Sequence, residues 1–475
     1  MRSAIRLLFV LLLAGCATNP ATGRRQLMLM SEQEEVQIGR QSDAEIREQM
    51  GLYDDAELQA YVRGVGQKLL GTSHRPGLPW SFAVVDQPAV NAFAVPGGFI
   101  YLTRGILPYL RDEAELAAVM GHEIGHVDAR HSAEAYSKQL GAGLGLSIAG
   151  VLAPSTQPLQ GLAGAGLGVL FLKYGRDAEL ESDRLGVGYA ASAGWDPRGV
   201  PGLLSTLARL DAAGGSSRGV PNWALTHPPA ADRVQRVQEV VAATPAGSRA
   251  TNAPGLERHL DGLVFGDSRE KGIVRGSEFL HPVLRFAVSF PTGWQVSNGD
   301  TQVVARRDES SNSVMLLQLT QGSGPLDQLA TAQMTQAGWR QVSGERGSIN
   351  GLEAFVGTYQ GAISNTPVTL QAAHVRAGNQ VYVIAGVAPV ADFQAAAPQF
   401  TSAIRTFRTL SAAEAERIQP NRIDFRAARS GDTWQSLARD ATGGIVTPSA
   451  LAIMNGRDVA VQPTAGERLR IVVGG

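Results

Sequence analysis

The sequence predicts a multidomain α+β chain. It comprises a mainly helical domain with a small β-sheet over residues 17–265, an α+β sandwich over 270–410 and a small βααβ module over 420–475. Three observations carry this. An alanine-rich apolar run from Asp112 to His131 repeats Leu116, Met120, Ile124 and Val127 at helical spacing. Beyond residue 270 the pattern changes to alternating strands such as Phe286, Val288 and Phe290. The length of 475 residues, with 44% hydrophobic and 18% charged, is ordinary globular usage and sets a prior of about three domains. A net charge of −1 argues against a nucleic-acid partner.

Residues 1–16 read as a targeting segment: Arg2 and Arg6 are basic, Leu7 to Leu13 apolar, and Leu13-Ala14-Gly15-Cys16 resembles a bacterial lipobox. Cys16 is the single cysteine, which rules out a disulfide within the chain. The resemblance implies that Cys16 is lipidated. Ala17 after it implies an outer-membrane lipoprotein facing the periplasm, held by more than one acyl chain. Residues 17–30 read as a polar tether. Ser31 and Glu34 then form a capping box opening a helix to about Met50, and a second helix follows over Asp55–Leu70. Trp80–Val85 and Phe99–Thr103 read as strands, the latter turned from Ala92-Phe93-Ala94 by Pro96-Gly97-Gly98.

Asp112 is a good N-cap with Glu115 at the third helical position, so the helix it opens presents His122 and His126 one turn apart. Two imidazoles so placed can share one Zn²⁺, with Glu123 turned toward a water rather than the metal. The plainer alternative is a helix with two solvated or capping histidines. The extension HExxHxxGxxH is absent, because Ala129 and Ser132 replace its Gly and His, and His131 lies about 140° round the helix from His126. A third ligand is best sought in Glu179-Leu180-Glu181-Ser182-Asp183, where Glu179 and Asp183 share a helical face and Glu181 points away. The alternative there is a solvated acidic face salted by Arg176 and Arg184. The Gly-, Ala- and Leu-rich run 141–170, broken by Pro154 and Pro158, is too short on either side to span a bilayer and reads as close-packed helices or a flap over the site.

HEIGHVDARHS at 122–132, Tyr174-Gly175-Arg176-Asp177-Ala178-Glu179 running into Asp183, and Thr226-His227-Pro228-Pro229 with Arg233 together resemble peptidase family M-48, the HtpX- and BepA-like gluzincins related to the CAAX prenyl endopeptidase. Asn91-Ala92-Phe93-Ala94, leading into Val95-Pro96-Gly97-Gly98, is similar to that family's active-site edge strand. The resemblance implies one Zn²⁺ per chain held by His122, His126 and Glu179, with Glu123 as general base and Asp183 orienting a ligand or an arginine. Asn91 to Ala94 would hold an extended polypeptide substrate by strand addition. His227 would either donate to the oxyanion or occupy the fourth metal position at rest. Gly175 and Ser182 depart from the usual Ser and Ala without touching a ligand. The activity implied is peptide-bond hydrolysis in unfolded or misassembled envelope proteins. The alternative is a non-catalytic assembly factor or cell-wall adaptor whose zinc is structural. His74, His259, His281 and His374 have no partner spacing and read as structural.

A polar linker is expected near 246–275. The strands after it, a helix over Asp327–Ala337 and a closing helix over Ala391–Phe407 are faintly similar to PsbP-like domains and carry no catalytic constellation. From Ile423 to Val473, Arg429-Ser430-Gly431-Asp432-Thr433-Trp434, Leu451-Ala452-Ile453-Met454-Asn455-Gly456 and Gly466-Glu467-Arg468-Leu469-Arg470-Ile471 resemble a LysM module. That resemblance implies peptidoglycan as a partner; a LysM-like fold without sugar binding is the alternative.

Overall fold

The computed structural model describes residues 16–138, 174–213, 223, 227, 233–244, 253–308, 311–363 and 365–475. The targeting segment before Cys16, the expected flap at 141–170, and Thr226, Pro228 and Pro229 lie outside the described residues. The chain forms two compact units, Met1–Phe265 with Arg422–Gly474, and Gly266–Asn421 with Gly475.

The first unit opens with a hairpin where a tether is expected. Strands β1 (Cys16–Thr18) and β2 (Arg25–Leu27) pair antiparallel. The composition misleads because the polar side chains are used internally: Asn19 and Gln26 are buried, and Gln26 donates to the Ala129 carbonyl at 3.3 Å. Helix α1 (Glu32–Gln49) carries the expected Ser31–Glu34 capping box, and α2 (Ala56–Leu69) is capped by Asp55. Strands β3 (Ser81–Val85), β4 (Ala92–Val95) and β5 (Phe99–Thr103) form a sheet in the order β3-β5-β4, with β3 parallel and β4 antiparallel to β5. Gly97 and Gly98, at φ +83° and +98°, supply the left-handed backbone that the tight β4–β5 turn needs.

Helix α3 (Glu113–Asp128) begins where expected, with Asp112 accepting from the Glu115 N–H, yet every one of its residues is buried. The apolar stripe is therefore only one of several covered faces, as in a helix at the centre of a core. Leu116, Val119, Met120 and Ile124 are all 0% exposed, each burial stabilising by about 1.5–3 kcal/mol. Helix α4 (Arg176–Ser192) packs along it at close range: a Cβ on Gly125 would come 3.1 Å from Ser182 Cα, and one on Gly186 3.0 Å from the His122 nitrogen. Small residues on both helices thus let the α4 carboxylates reach the α3 histidines. Helices α5 (Gly199–Ala212), α6 (Arg233–Ala243) and α7 (Ala253–Leu260) and strand β6 (Val264–Phe265) complete this part. The described part of the expected 246–275 linker thus carries α7 and β6, with turns around them.

In the second unit β7 (Ile273–Arg275), β8 (Glu278–His281) and β9 (Phe286–Ser289) precede a seven-stranded antiparallel sheet. Its strands are β10 (Gln295–Asn298), β11 (Gln302–Arg306), β12 (Val314–Thr320), β13 (Arg340–Ile349), β14 (Leu352–Ile363), β15 (Thr366–Ala377) and β16 (Gln380–Pro389), in the order β10-β11-β12-β16-β15-β14-β13. Helix α8 (Leu326–Gln336) precedes β13; α9 (Phe393–Ile404) follows β16; and β17 (Arg408–Thr409) closes a four-stranded sheet β17-β9-β8-β7. Phe279, Phe286, Met315, Tyr382 and Phe400 share one core. Strand β13 escaped the sequence pattern because nine of its ten residues are exposed, leaving no buried face to impose alternation.

After α10 (Ala412–Arg417) the chain returns to the first unit. Strand β18 (Asn421–Ala427), α11 (Pro448–Met454) and β19 (Arg468–Val473) follow the expected order, but not as a separately linked module. The sheet runs β19-β18-β6, and Trp434, Leu451, Met454 and Leu469 belong to the same core as Leu116 and Met120. Arg470, buried, donates to the carbonyls of Pro108 (3.0 Å), Arg111 (2.8 Å) and Leu110, just before α3. This segment thus shares its core with the rest of the unit.

Candidate metal centre

Helix α3 turns His122 and His126 onto one face, and their Nε2 atoms approach to 3.0 Å. From α4, Glu179 places Oε1 3.5 Å from His126 Nε2 and Oε2 3.7 Å from His122 Nε2. His227 brings Nδ1 to 3.4 Å from His122 Nε2 and 3.0 Å from Glu179 Oε1. The four ligand atoms lie within 4.8 Å of one another, and all four residues are buried. A tetrahedral Zn²⁺ with bonds of about 2.0–2.1 Å needs ligand atoms about 3.3 Å apart, so the group fits a single zinc ion.

The electrostatics agree with such a site. Burial, reinforced by His122, His131, His227 and Arg233, drives His126 well below the usual histidine range, leaving it neutral and able to ligate. Burial works to raise Glu179, yet His227, His122 and Arg233 outweigh it and hold its carboxyl low. Burial also opposes a charged His227, but the Glu179 and Glu123 carboxylates prevail and raise it. Glu123 is pushed up, mainly by burial, against the pull of His227, His122 and the Ala94 backbone N–H. This fully buried carboxylate borders the ligand set, 3.5 Å from His227 Nε2.

Outer residues fix the ligands. Asp183 Oδ1 lies 2.9 Å from His122 Nδ1, and Arg233 reaches Asp183 Oδ1 at 2.8 Å and Glu179 Oε2 at 2.8 Å. Against the pull of burial, His122 and Arg233 hold Asp183 down at about 2. Arg233 from α6 thus pairs with both carboxylates, so the face is buried rather than solvated.

Two expectations are corrected. His131 is not on the same helix as His126: α3 ends near Ala129, and Arg130 takes φ +60°, held by Glu35 and the Met30 carbonyl. His131 thereby swings back, its Nδ1 2.9 Å from His126 Nδ1. Glu181 does not simply point away, since its Oε2 meets His131 Nε2 at 2.9 Å. Asn91 hydrogen-bonds through its backbone with Thr103, and Ala92, Phe93 and Ala94 lie on the edge strand β4, all at most 5% exposed. The edge is present but covered. Cys16 pairs through its backbone with Leu27.

The sequence reading missed the aromatic walls. Trp223 stacks on His227 with centroids 4.1 Å apart, and Tyr174 stacks on His126 at 3.9 Å. Trp223 stands four residues before His227, a spacing that could have flagged it.

Residues 56–241 match the profile of Peptidase family M48. This segment is a peptidase family M48 domain. Within the curated relatives, the mitochondrial metalloendopeptidase OMA1 of Arabidopsis thaliana is 36% identical over 178 residues, covering 37% of this chain and 34% of its own. The beta-barrel assembly-enhancing protease of Escherichia coli (strain K12) is 31% identical over 224 residues, covering 44% of each chain. The OMA1 of Schizosaccharomyces pombe is 33% identical, with 41% of this chain and 58% of its own covered. The chain thus spans between a third and somewhat more than half of these relatives. The solution structure of cyanobacterial PsbP from Synechocystis sp. PCC 6803 covers 29% of this chain at 10% identity and a TM-score of 0.24, too low to assign a role to the second unit. Among the described residues no helix is long and apolar enough to cross a membrane.

Proposed function

We propose that this M48 protein is a zinc-dependent endopeptidase of the bacterial cell envelope, lipidated at Cys16, facing the periplasm and acting on unfolded or misassembled envelope proteins. The observation that carries the reading is the pairing of a three-ligand set, His122, His126 and Glu179, with the buried Glu123 beside it. A Zn²⁺ held there would supply Lewis acidity, acidifying water and polarising a carbonyl. Glu123 takes the proton of the attacking water and delivers it to the leaving amine as the C–N bond breaks. Asp183 keeps the His122 Nδ1 proton in place, and Arg233 holds Glu179 against Asp183.

The second reading, a non-catalytic assembly factor with structural zinc, is favoured by His227, which completes a fourth corner as structural sites require. A purely structural site, however, has no use for Glu123. We read the arrangement as a resting state: His227 leaves and β4 is uncovered when a peptide adds along Asn91 to Ala94. Peptidoglycan binding by the segment after Ile423 is part of the proposal and is separable from catalysis. Zinc content and casein cleavage, measured with and without chelator, test the peptidase reading; stoichiometric zinc without cleavage under any activating condition supports the structural alternative.

A further inference from the structure

His126 offers Nε2 to the ligand cluster, which leaves Nδ1 as the nitrogen that must carry its proton if the ring is to ligate. That Nδ1 lies 2.9 Å from Nδ1 of His131. Two ring nitrogens at this distance share one proton, so His131 accepts at Nδ1 and bears its own proton on Nε2. His131 Nε2 in turn sits 2.9 Å from Glu181 Oε2, an oriented acceptor for that N–H. The Ser182 hydroxyl, 3.3 Å from His131 Nδ1, approaches the same lone pair. The tautomers along the chain are therefore set from the carboxylate inward.

We infer that His131 and Glu181 are positioning residues forming a relay, Glu181 to His131 to His126, that fixes the tautomer and orientation of one metal ligand. The inference rests on the zinc reading above. Neither residue contacts the other ligand atoms, and nothing in the helical spacing of the HExxH run pairs His131 with His126; the left-handed Arg130 does so by ending α3 and turning the chain back. The built character of the relay shows in its burial: His131 is 2% exposed and the Glu181 side chain 10%. Its outer end is braced by the N-terminal hairpin. Gln26 holds the Ala129 carbonyl within the turn that carries His131, and Arg24 reaches Glu181 Oε2 at 3.5 Å. The Arg24 contact is half-exposed and adds little by itself.

Outer partners of metal-bound histidines typically change metal affinity about 10–100-fold when removed. The test is zinc affinity of the full chain by competition with a chromogenic chelator, together with the visible spectrum of the Co²⁺-substituted protein. Glu181→Leu and His131→Ala are expected to weaken zinc by about 10–100-fold and to shift the Co²⁺ bands. Glu181→Gln keeps an oxygen able to accept the His131 N–H and should recover most of the affinity. A merely structural role for Glu181 predicts that Leu and Gln differ in melting temperature but not in affinity or spectrum. If wild type binds zinc and Glu181→Leu matches it in both readouts, the relay is overturned. Should His131→Ala fail to fold, the Glu181 pair decides. A wild-type protein that binds no zinc overturns the zinc reading itself and the relay with it, an outcome distinguishable from variants that match a zinc-binding parent.

Discussion

His227 Nδ1 lies 3.0 Å from Glu179 Oε1, while Nε2 of the same ring lies 3.5 Å from Glu123 Oε1. One imidazole therefore occupies both the fourth corner of the ligand set and the space before the carboxylate proposed to move protons. His227→Ala removes this occupant but leaves His122, His126 and Glu179. Cleavage of a short unstructured peptide is expected to rise by about 10-fold, the size of a modest shift in the competent population. A fall of about 10²–10³-fold would instead mark His227 as an oxyanion donor.

Glu123→Gln is nearly isosteric and removes no ligand, so zinc content and melting temperature should hold. Cleavage should fall by about 10²–10⁴-fold, the usual cost of losing a general base. Peptide hydrolysis assayed beside metal analysis on the same sample checks this. Retained cleavage would place the proton transfer elsewhere.

Arg233 is 2% exposed and faces two buried carboxylates, Glu179 and Asp183. Arg233→Ala would leave both uncompensated, a loss on the order of 3–5 kcal/mol. Arg233→Lys should recover only part, because a point-like ammonium cannot fork across both partners. Denaturant unfolding of the two variants gives the comparison.

Removing residues 422–475 is expected to destabilise the peptidase unit, since it strips β18 and β19 from β6 and takes Arg470 from the carbonyls of Pro108, Leu110 and Arg111. Arg470→Met is the milder probe, leaving buried carbonyls unsatisfied at about 1–3 kcal/mol each. Thermal melts and limited proteolysis read both. A truncated chain that melts like the parent would mean that the segment is independent after all.

His374, on β15 in the second unit, is 0% exposed, neither ring nitrogen has a hydrogen-bond partner, and burial pushes it down to about 4. Its folded value lies below its unfolded value of about 6.5, so between these limits the unfolded chain binds the extra proton. Stability should then fall as pH drops from about 6.5 through about 4. His374→Leu should flatten that dependence and cost little at pH 7. Unfolding midpoints at pH 7 and pH 4.5 for both proteins measure the effect.

The histidine pair was legible because it is local, whereas Glu179 was singled out as a ligand through the family resemblance. His122 and His126 are one helical turn apart, and Glu179 and Asp183 likewise, so chain geometry alone aligns each pair. The caps at Ser31 and Asp112 were legible for the same reason, each a side chain bonding a backbone N–H three residues on. Strand β13 was not, because exposed residues on both faces write no period.

What the sequence determined by itself, then, was whatever a few consecutive residues can enforce: the HExxH helix, the capped helix starts, the Pro96-Gly97-Gly98 turn and the chemistry able to bind zinc. The tertiary structure alone decided which distant groups meet. It set Arg233 against both carboxylates, brought His131 and Glu181 to the back of His126, and folded the last fifty residues into the core of the first unit. Those choices depend on close packing between α3 and α4, on the left-handed turn at Arg130 and on buried charges needing partners. Such requirements are met across long chain separations, where sequence periodicity carries no information.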